Sequence, residues 1–393
     1  MIPLDNAVQI VCDAARPVPT ERVPLENAAG RVLAADVVSD TDLPPFNKAA
    51  MDGFACRRED LDSELRVIES IPVNHIPHNS IGPGECARIM TGAVVPSGAD
   101  CVIPIEQTQT IEHDIVQFTG INPRTNICFQ GEDVSESDVV LSKGTLIQPW
   151  HISILASAGI SHPCVALQPV VGIIATGNEL VSPAEKPRIG QIRNSNSSQL
   201  HVLVTTRSCI PRLYGIAADT RPAINDMLLT AMQECDVVLL TGGVSTGDYD
   251  FVPGVLKNAG VTLLIEKIAI KPGMPTVFGM SDEASCFGLP GNPVAVFVVF
   301  ELLVTPFLYA LMGHAWQPRI IHLPLAEPVV RKRTERESWL PVSISSDGTA
   351  VIAEYHGPAH TQSFSRADGL MTIPAGVKTI STGIPVPVRL LHP

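Results

Sequence analysis

The sequence has no excess of basic residues and no long apolar run. It carries 27 lysines and arginines against 40 acidic residues, and the resulting formal net charge of −13 argues against non-specific binding to nucleic acid. The longest apolar run covers residues 294–300 and ends at Glu301. This is far short of the roughly 20 residues that cross a membrane. We therefore expect no nucleic acid and no membrane among the partners.

Paired cysteines and a leader segment are also lacking. Nine cysteines are scattered along the 393 residues without a CxxC pair, and their odd number favours reduced thiols over a disulfide framework. The first residues, MIPLDNAVQI, contain no basic segment followed by an apolar block, so no signal peptide is evident. These features predict a cytoplasmic protein. No GxxxxGK[ST] or GxGxxG motif occurs, which removes the main support for a P-loop or a Rossmann dinucleotide site.

The length and the uneven pattern predict several domains. The first part has helical pieces at residues 4–15 and 21–34, and a further helix is predicted at 148–158. Short Val/Ile runs separated by turn clusters indicate a small β domain between them. The predicted domains are a linking domain (1–46 plus 138–166), an inserted β domain (47–137), an α/β domain (167–315) and a C-terminal β domain (316–393).

Strand and helix patterns alternate within the third of these domains. Strands are predicted at residues 170–175, 212–217, 236–241, 261–265 and 286–289. Helices are predicted at residues 197–208, 223–234, 252–258 and 294–311. Such alternation is typical of a doubly wound, mostly parallel α/β sheet, so the fold class is multidomain α/β.

Each predicted strand is followed by polar or glycine-rich sequence. In chain order these stretches are TGNEL, AADT, TGGVSTGDYD, EKIAIKPGMP and GLPGNP. Ligands bind outside the carboxyl ends of such strands, so we expect the stretches to converge on one crevice. Glycine-rich backbone presents N–H groups to phosphate oxygens. The predicted phosphate-binding residues are Gly242, Gly243, Ser245, Gly247, Pro290, Gly291 and Asn292.

Charged residues in the same stretches suit a metal-assisted reaction on phosphate. Mg²⁺ prefers hard oxygen ligands, and Glu179 is one candidate carboxylate. The predicted metal ligands are Asp219, Asp248 and Asp250. Lys267 and Lys271 would neutralise developing negative charge. Simpler interpretations stay open, because an aspartate before Thr220 is also placed to cap a helix and lysines four apart are common on helix surfaces.

Two further sets of residues lie outside the α/β pattern. AAMDGFA and RIMTGAVVPSGAD, in the first half, are compatible with tight turns and polar loops as well as with a site. The histidine pairs His75/His78 and His356/His360 lie in loop sequence without cysteines nearby. We interpret these histidines as solvated loop residues rather than as zinc ligands.

An ordered series of motifs resembles the molybdopterin molybdenumtransferases, the MoeA and gephyrin E-domain family. The motifs are AAMDGFA, RIMTGA, ATGNEL, QIRNSNS, TGGVSTGDYDF, KIAIKPGMP and GLPGNPVA, and they cover nearly the whole chain. The resemblance implies an α/β domain of the molybdopterin-binding type, similar to molybdopterin adenylyltransferase. It also implies a homodimer whose active site combines residues of both subunits.

The resemblance implies a reaction and a set of site residues. Adenylylated molybdopterin and molybdate, or tungstate, would give molybdenum cofactor and AMP in a step assisted by Mg²⁺. The implied catalytic residues are Asp52, Thr91, Glu179, Asp219, Asp250, Lys267 and Lys271. Ser363 and Arg333 would bind the oxyanion, with a looser match for the arginine. The implied partners are molybdopterin adenylyltransferase as upstream donor and molybdoenzymes as acceptors.

The chain departs from the family pattern at three positions. Met274, Ala295 and Asn178 stand where lysine, serine and aspartate are frequent. Two alternatives to the implied activity stay open at this point. One is a molybdopterin adenylyltransferase, which would lack the two β domains, and the other is a non-catalytic scaffold that keeps the fold.

Overall fold

The computed structural model describes residues 1–121, 124–243, 251–355, 357 and 359–391. The chain begins with the predicted amphipathic helix, Leu4–Ala14. The expected helical piece at 21–34 is wrong. Strand Thr20–Arg22 and one 3₁₀ turn, Leu25–Asn27, lie there instead. The strand pairs with residues more than 140 positions later, and Pro24 precedes the turn, so long-range pairing overrides local helix propensity.

The two sequence flanks of the inserted domain fold together. Thr20–Arg22 pairs with Cys164–Ala166, and Val37–Val38 pairs with Val139–Leu141, both antiparallel. Helix His151–Ser157, shorter than predicted, packs on this unit through Leu155, which shares a buried cluster with residues of both flanks. The pairing explains how a single β domain is inserted between the two flanks.

The inserted domain is built on a six-stranded sheet. In spatial order its strands are Cys101–Pro104, Gly53–Cys56, Glu85–Ile89, Glu64–Ile71, Ile115–Phe118 and Thr108–Glu112. Lys48–Ala49 pairs separately with Ile127–Cys128. Asp52 immediately precedes one central strand and Thr91 follows its neighbour. The sheet therefore brings AAMDGFA and RIMTGA side by side.

A second six-stranded sheet forms the α/β domain. Its spatial order is Ile210–Ala217, Val170–Thr176, Val237–Thr241, Ser285–Leu289, Val277–Met280 and Thr262–Ile265. The first four strands are parallel, and Val277–Met280 is antiparallel to both neighbours. The five strands predicted from the sequence thus run in one direction. Their carboxyl ends share one edge of the sheet.

Helices cover both faces of this sheet, which confirms the doubly wound arrangement. Ser195–Thr206 and Pro293–Leu311 pack on the face that contains Ile173. Arg221–Glu234 and Val252–Asn258 pack on the opposite face, which contains Ile174. Consecutive residues of a strand point to opposite faces, so the continuous apolar strand Val170–Thr176 supplies both cores.

The helix Pro293–Leu311 belongs to the core of the protein. It is long and apolar enough to cross a membrane, but 89% of its most apolar window is buried inside the fold. A π-helical segment, Phe300–Val304, interrupts it. Within that segment Glu301 is buried and forms a 2.7 Å ion pair with Arg207. The pairing accounts for a carboxylate within this apolar helix.

The C-terminal domain is a β sheet, as predicted, with one strand from outside it. In spatial order the strands are Ile270–Lys271, Glu337–Ile344, Gly369–Ile373, Pro385–Leu390 and Ile320–Pro324, with Ala350–Ile352 beside Glu337–Ile344. Shorter ladders are Val329–Val330 with Thr379–Ile380 and Leu180–Val181 with Ile192–Arg193. The inserted and C-terminal β domains agree with the predicted fold class. The exact domain limits stay a prediction.

Candidate active site

A cavity of about 350 Å³ lies at the carboxyl edge of the α/β sheet. Seven of the residues predicted from the sequence line it: Glu179, Asp219, Gly242, Gly243, Pro290, Gly291 and Asn292. They follow four different strands, so the sheet topology rather than nearness in sequence brings them together. This is the crevice expected at the strand ends.

Gly242 is the position where the cavity wall requires glycine. Its φ is +98°, and a Cβ there would lie 2.5 Å from the carbonyl oxygen of Thr176 and 2.8 Å from its Oγ1. Any side chain would therefore force apart the ends of two neighbouring strands. The loop also approaches Gly291, whose added Cβ would lie 3.7 Å from the Cα of Gly242. The glycine-rich sequence thus allows two loops to lie back to back.

Asp219 is hydrogen-bonded to the loop that follows strand Val170–Thr176. Its Oδ2 accepts a hydrogen bond from the backbone N–H of Asn178 at 3.0 Å, and Asn178 Oδ1 accepts from the N–H of Asp219 at 3.1 Å. The helix Arg221–Glu234 is capped by Thr220, whose hydroxyl accepts from the N–H of Ala223. Asp219 is therefore not the helix cap, and its carboxylate lies in the cavity wall.

Glu179 belongs to the same cavity wall. A Cβ on Gly177 would come within 2.6 Å of Glu179 Oε2, so the carboxylate folds back over that glycine. The short parallel ladder between Leu180–Val181 and Ile192–Arg193 holds this loop in place. The carboxylates of Glu179 and Asp219 therefore line the same cavity.

Asn196 is a site residue that the sequence reasoning did not single out. Its Nδ2 donates to Thr241 Oγ1 and to the carbonyl oxygen of Gly291, both at 2.8 Å. Thr241 Oγ1 in turn donates to Pro290 O at 3.1 Å. Because Gly291 O only accepts, this network fixes which end of the amide is nitrogen. The motif QIRNSNS contains Asn196, and the structure places this residue in the first turn of helix Ser195–Thr206.

Two buried oxygens at this cavity have no hydrogen-bond partner in the described part of the chain. They are Asn196 Oδ1 and Thr176 Oγ1. A buried acceptor or hydroxyl without a partner costs about 1–3 kcal/mol. Such atoms cluster at sites where a ligand, an ion or water completes the bonding. They add neutral oxygens to the carboxylates of Glu179 and Asp219 in the same wall.

Asp52 and Thr91 meet each other in the inserted β domain. Thr91 donates its backbone N–H (2.6 Å) and its hydroxyl (2.8 Å) to Asp52 Oδ1. These two bonds, the backbone one first, lower the pKa of Asp52 below its ordinary value. Both residues are exposed, and neither is among the described residues that line the α/β cavity. Within one chain, Asp52 and Thr91 therefore contact each other but do not join the residues that line the α/β cavity.

Neither predicted lysine is among the described residues that line the cavity. Lys267 and Lys271 are both exposed, and neither forms an ion pair with a described residue. Lys271 lies in an extended segment, as predicted, but that segment is a strand paired with Glu337 and Ser338 of the C-terminal sheet. Four residues later Pro275 lines the cavity. The segment therefore connects the C-terminal sheet to the crevice.

The two predicted oxyanion residues of the C-terminal domain differ in exposure. Ser363 is only 4% exposed, and its hydroxyl donates to His360 O at 2.7 Å. Arg333 is exposed. Arg331, two positions earlier, is buried and donates to four backbone carbonyls and to Ser338 Oγ. The donors of Arg331 are thus used within the C-terminal domain. Arg333 therefore stays the arginine predicted to bind the oxyanion.

Part of the predicted site lies outside the described residues. Ser245, Gly247, Asp248 and Asp250 belong to residues 244–250, and His356 is likewise outside. No group of three or more His, Cys, Asp or Glu residues is placed to hold a metal in the ranges that are described. Two of the three predicted metal ligands, Asp248 and Asp250, lie outside those ranges. His75 and His78 are exposed loop residues, as expected.

Three family models match consecutive parts of the chain. They are described as the MoeA N-terminal region (domains I and II), over residues 2–159, a probable molybdopterin binding domain, over residues 172–310, and the MoeA C-terminal region (domain IV), over residues 323–391. Together they span nearly the whole sequence. Their borders agree with the change from mixed to α/β to β structure along the chain.

Curated relatives and solved structures match over similar lengths. A molybdopterin molybdenumtransferase of Bacillus subtilis (strain 168) is 37% identical, covering 78% of this chain and 74% of the relative. The enzyme of the same name from Staphylococcus aureus (strain MRSA252) is 32% identical, covering 99% and 95%. The molybdopterin biosynthesis moeA protein of Pyrococcus horikoshii OT3 is 32% identical with a TM-score of 0.87, covering 99% of this chain and 100% of that one.

Proposed function

Because the chain belongs to the MoeA family of molybdopterin molybdenumtransferases, we propose that it transfers molybdenum from molybdate to adenylylated molybdopterin. The products would be molybdenum cofactor and AMP. The observation that carries this proposal is the cavity at the carboxyl edge of the α/β sheet, which collects two carboxylates and two glycine-rich loops. Carboxylates and exposed backbone N–H groups are what cleavage of a phosphoanhydride needs.

The glycine-rich loops would bind the phosphate groups. Gly242 and Gly243 have positive φ angles, and Gly291 lies against Gly242. The long helix Pro293–Leu311 begins beside this wall, with Asn292 as its N-cap. Its first N–H groups and the helix dipole favour a negative charge at that end. We assign Ser245 and Gly247 to the same role from the sequence.

The residues present fit the Mg²⁺ that the resemblance implies. Asp219 and Glu179 supply carboxylate oxygens, and the unpartnered oxygens of Asn196 and Thr176 show that the wall has unused hard donors. We propose Asp219, Asp248 and Asp250 as the residues that would hold the ion. When bound, Mg²⁺ would neutralise charge on the phosphoanhydride and its leaving AMP.

The lysines and the C-terminal domain would bind the oxyanion. Lys271 extends from the strand that joins the C-terminal sheet, close in sequence to Pro275 in the cavity wall. Molybdate is a dianion, so Lys267, Lys271 and Arg333 supply the complementary charge. Ser363 joins them only if its hydroxyl turns away from His360 O, its present acceptor.

Asp52 and Thr91 would act from the second subunit of a homodimer. They lie in the inserted domain and do not line the crevice of their own chain. A two-fold pairing would place each inserted domain over the partner's α/β crevice. The hydrogen bonds from Thr91 lower the pKa of Asp52, so near neutral pH it offers a fixed negative charge and a hydrogen-bond acceptor rather than a strong base. In a cytoplasmic pathway, the donor would be molybdopterin adenylyltransferase and the acceptors molybdoenzymes.

An assay with defined substrates tests the proposal. The protein is incubated with adenylylated molybdopterin, Mg²⁺ and molybdate, and both AMP and metal-loaded cofactor are followed. AMP release that requires molybdate supports the proposed reaction. Consumption of ATP with free molybdopterin would instead identify an adenylyltransferase. Binding of the substrate without turnover of either kind would identify a non-catalytic scaffold.

A further inference from the structure

A second cavity lies away from the candidate active site. Its volume is about 800 Å³, and none of the described residues that line it also lines the crevice. Its walls come from six separate parts of the chain: Gly30, residues 143–148, residues 206–208, the long helix through Glu301 and Tyr309, the segment 313–319 after that helix, and residues 390–391. Small-molecule sites commonly have this size and lie where domains meet.

One wall of this cavity contains a network of buried charged groups. Arg207 donates to Glu301 at 2.7 Å, and Arg389 donates to the backbone oxygen of Glu301. The carboxylate of Glu301 is only 6% exposed, and Arg389 lies 3.9 Å from its Oε2. Two arginines therefore compensate one carboxylate. Besides that ion pair, Arg207 uses an N–H on Thr305 and another on Thr206, which leaves two of its five N–H donors for a ligand.

The remaining charged groups on the wall are all cations among the described residues. Lys143 and Arg319 are exposed, and neither forms an ion pair with a described residue. Gln148, Gln317 and Ser208 add neutral hydrogen-bond donors. The local charge is positive, although the chain as a whole carries −13. A donor-rich, cationic wall in an acidic protein attracts an oxyanion.

Two glycines and a histidine set the shape of the cavity edge. His314 donates from Nδ1 to the carbonyl oxygen of Gly144 at 2.8 Å. A Cβ on Gly144 would lie 2.8 Å from Gly313 O, so these two segments approach as closely as backbones can. Because Nδ1 carries the proton, the Nε2 atom of His314 is the one available to a ligand.

Another wall presents an aromatic surface formed by Tyr309 and Trp316. Trp316 stacks on Tyr309 with ring planes 10° apart, and the guanidinium of Arg389 lies 4.5 Å from the indole centre. Burial raises the pKa of Tyr309, so its ring stays uncharged at neutral pH. Arg389 thus links the aromatic wall to the buried charge network.

We propose that this cavity is a binding site for a small organic phosphate, held by Lys143, Arg207 and Arg319. The cavity is too large for a bare tetrahedral ion, so the phosphate is carried on an organic group that fills the remaining space. Nucleoside monophosphates and sugar phosphates share this chemistry. The proposal is independent of the activity assigned to the α/β crevice.

Titration calorimetry on the full-length protein tests the site with two probes, 5′-AMP and ribose 5-phosphate. The decisive variant is Lys143→Ala/Arg319→Ala, in which both substituted side chains are exposed. The matched control is Arg124→Ala/Lys378→Ala, which removes the same charges from exposed positions elsewhere. A second variant, Gln317→Glu, adds a negative charge to the wall at nearly constant shape.

Saturable binding of at least one probe is expected in the wild type and the control. We expect it to weaken by about tenfold or more in both wall variants, and to weaken as salt rises. Preference for AMP would indicate a nucleotide ligand, and equal binding would indicate that only the sugar phosphate is recognised. Unchanged affinity in the wall variants, or no saturable binding at millimolar probe, would overturn the proposal. Molybdenum transfer should be unaffected by Lys143→Ala/Arg319→Ala.

Discussion

Asn178 and Asp219 bind each other's backbone in a reciprocal pair of hydrogen bonds, at 3.0 and 3.1 Å. The pair joins the loops after two neighbouring parallel strands. The amide oxygen of Asn178 performs an acceptor role that an aspartate at this position would also offer. The carboxylate of Asp219 is therefore positioned by the residue at 178 rather than by a helix cap.

Asn178→Ala should reduce turnover, because the N–H of Asp219 loses its acceptor and only the backbone N–H of residue 178 still holds the carboxylate. We expect roughly a tenfold or larger fall in kcat. Asn178→Asp keeps the acceptor oxygen and adds a negative charge near the crevice, so it should retain turnover and need less Mg²⁺. The measurement is AMP release as a function of Mg²⁺ concentration. Equal turnover in wild type and Asn178→Ala would show that this bond does not position Asp219.

Gly242→Ala should destabilise the protein and close part of the crevice. The residue has a φ of +98°, and the added Cβ would lie 2.5 Å from Thr176 O. We expect a loss of about 1–3 kcal/mol in the free energy of unfolding. Gly254→Ala is the matched control, because Gly254 lies in helix Val252–Asn258 with no atom within 4 Å of its added Cβ. That change should be neutral or stabilising by roughly 0.5–1 kcal/mol. Chemical denaturation of the wild type and of both variants measures these free energies of unfolding, and an unchanged value for Gly242→Ala would contradict the prediction.

Thr91→Val should raise the pKa of Asp52 toward its ordinary value. The change removes the hydroxyl donor and keeps the backbone N–H, which contributes most to the lowered pKa. A carboxylate whose folded pKa is depressed stabilises the fold above its unfolded pKa of about 3.9. That contribution is lost as pH falls from the unfolded pKa through the folded pKa, so in Thr91→Val it should be smaller and its loss should be complete at a higher pH.

Carbon NMR titration of the Asp52 carboxyl group measures this shift directly. Thr91→Ser keeps a hydroxyl and serves as the control, with a pKa near that of the wild type. If Asp52 catalyses a step in its ionised form, the acid limb of the pH–rate profile should move in the same direction. An identical Asp52 pKa in Thr91→Val and wild type would refute the assigned cause.

Much of the fold was predictable because its strands are strongly patterned. Continuous apolar runs such as Val170–Thr176 predicted buried parallel strands, and five of the six strands of the α/β sheet were found this way. Val277–Met280 was missed because it is short, follows a Pro–Gly turn and contains Gly279. That glycine is needed where the edge strand approaches, since its Cβ would lie 2.7 Å from Thr262 O. Local composition carries no sign of such a contact.

The site was predictable in part for the same reason. Residues directly after strands, such as Asp219 and Gly242, follow from topology once the strand direction is known. Asn196 was not singled out, because its role depends on contacts with Thr241 and Gly291, which lie 45 and 95 positions away. The pairing of Lys271 with the C-terminal sheet was missed for the same reason. Such long-range contacts leave no periodicity in the sequence.

Subunit exchange tests whether the active site is shared. Asp52→Ala and Asp219→Ala should each be inactive alone, because each lesion affects every site of its own homodimer. A mixed dimer would place both lesions in one site and leave the other intact. With random exchange about half of the dimers are mixed, so roughly a quarter of all sites should recover. No recovery after verified exchange would place Asp52 and Asp219 in the same subunit's site.

The most direct measurement of the central claim is the stoichiometry of a single turnover. Enzyme in excess over adenylylated molybdopterin is mixed with Mg²⁺, with and without molybdate, and AMP and metal-loaded cofactor are quantified in the same samples. We predict equal amounts of AMP and loaded cofactor with molybdate, and neither product with Asp219→Asn. Release of AMP without any loaded cofactor, or loading of the cofactor without AMP, would contradict the account.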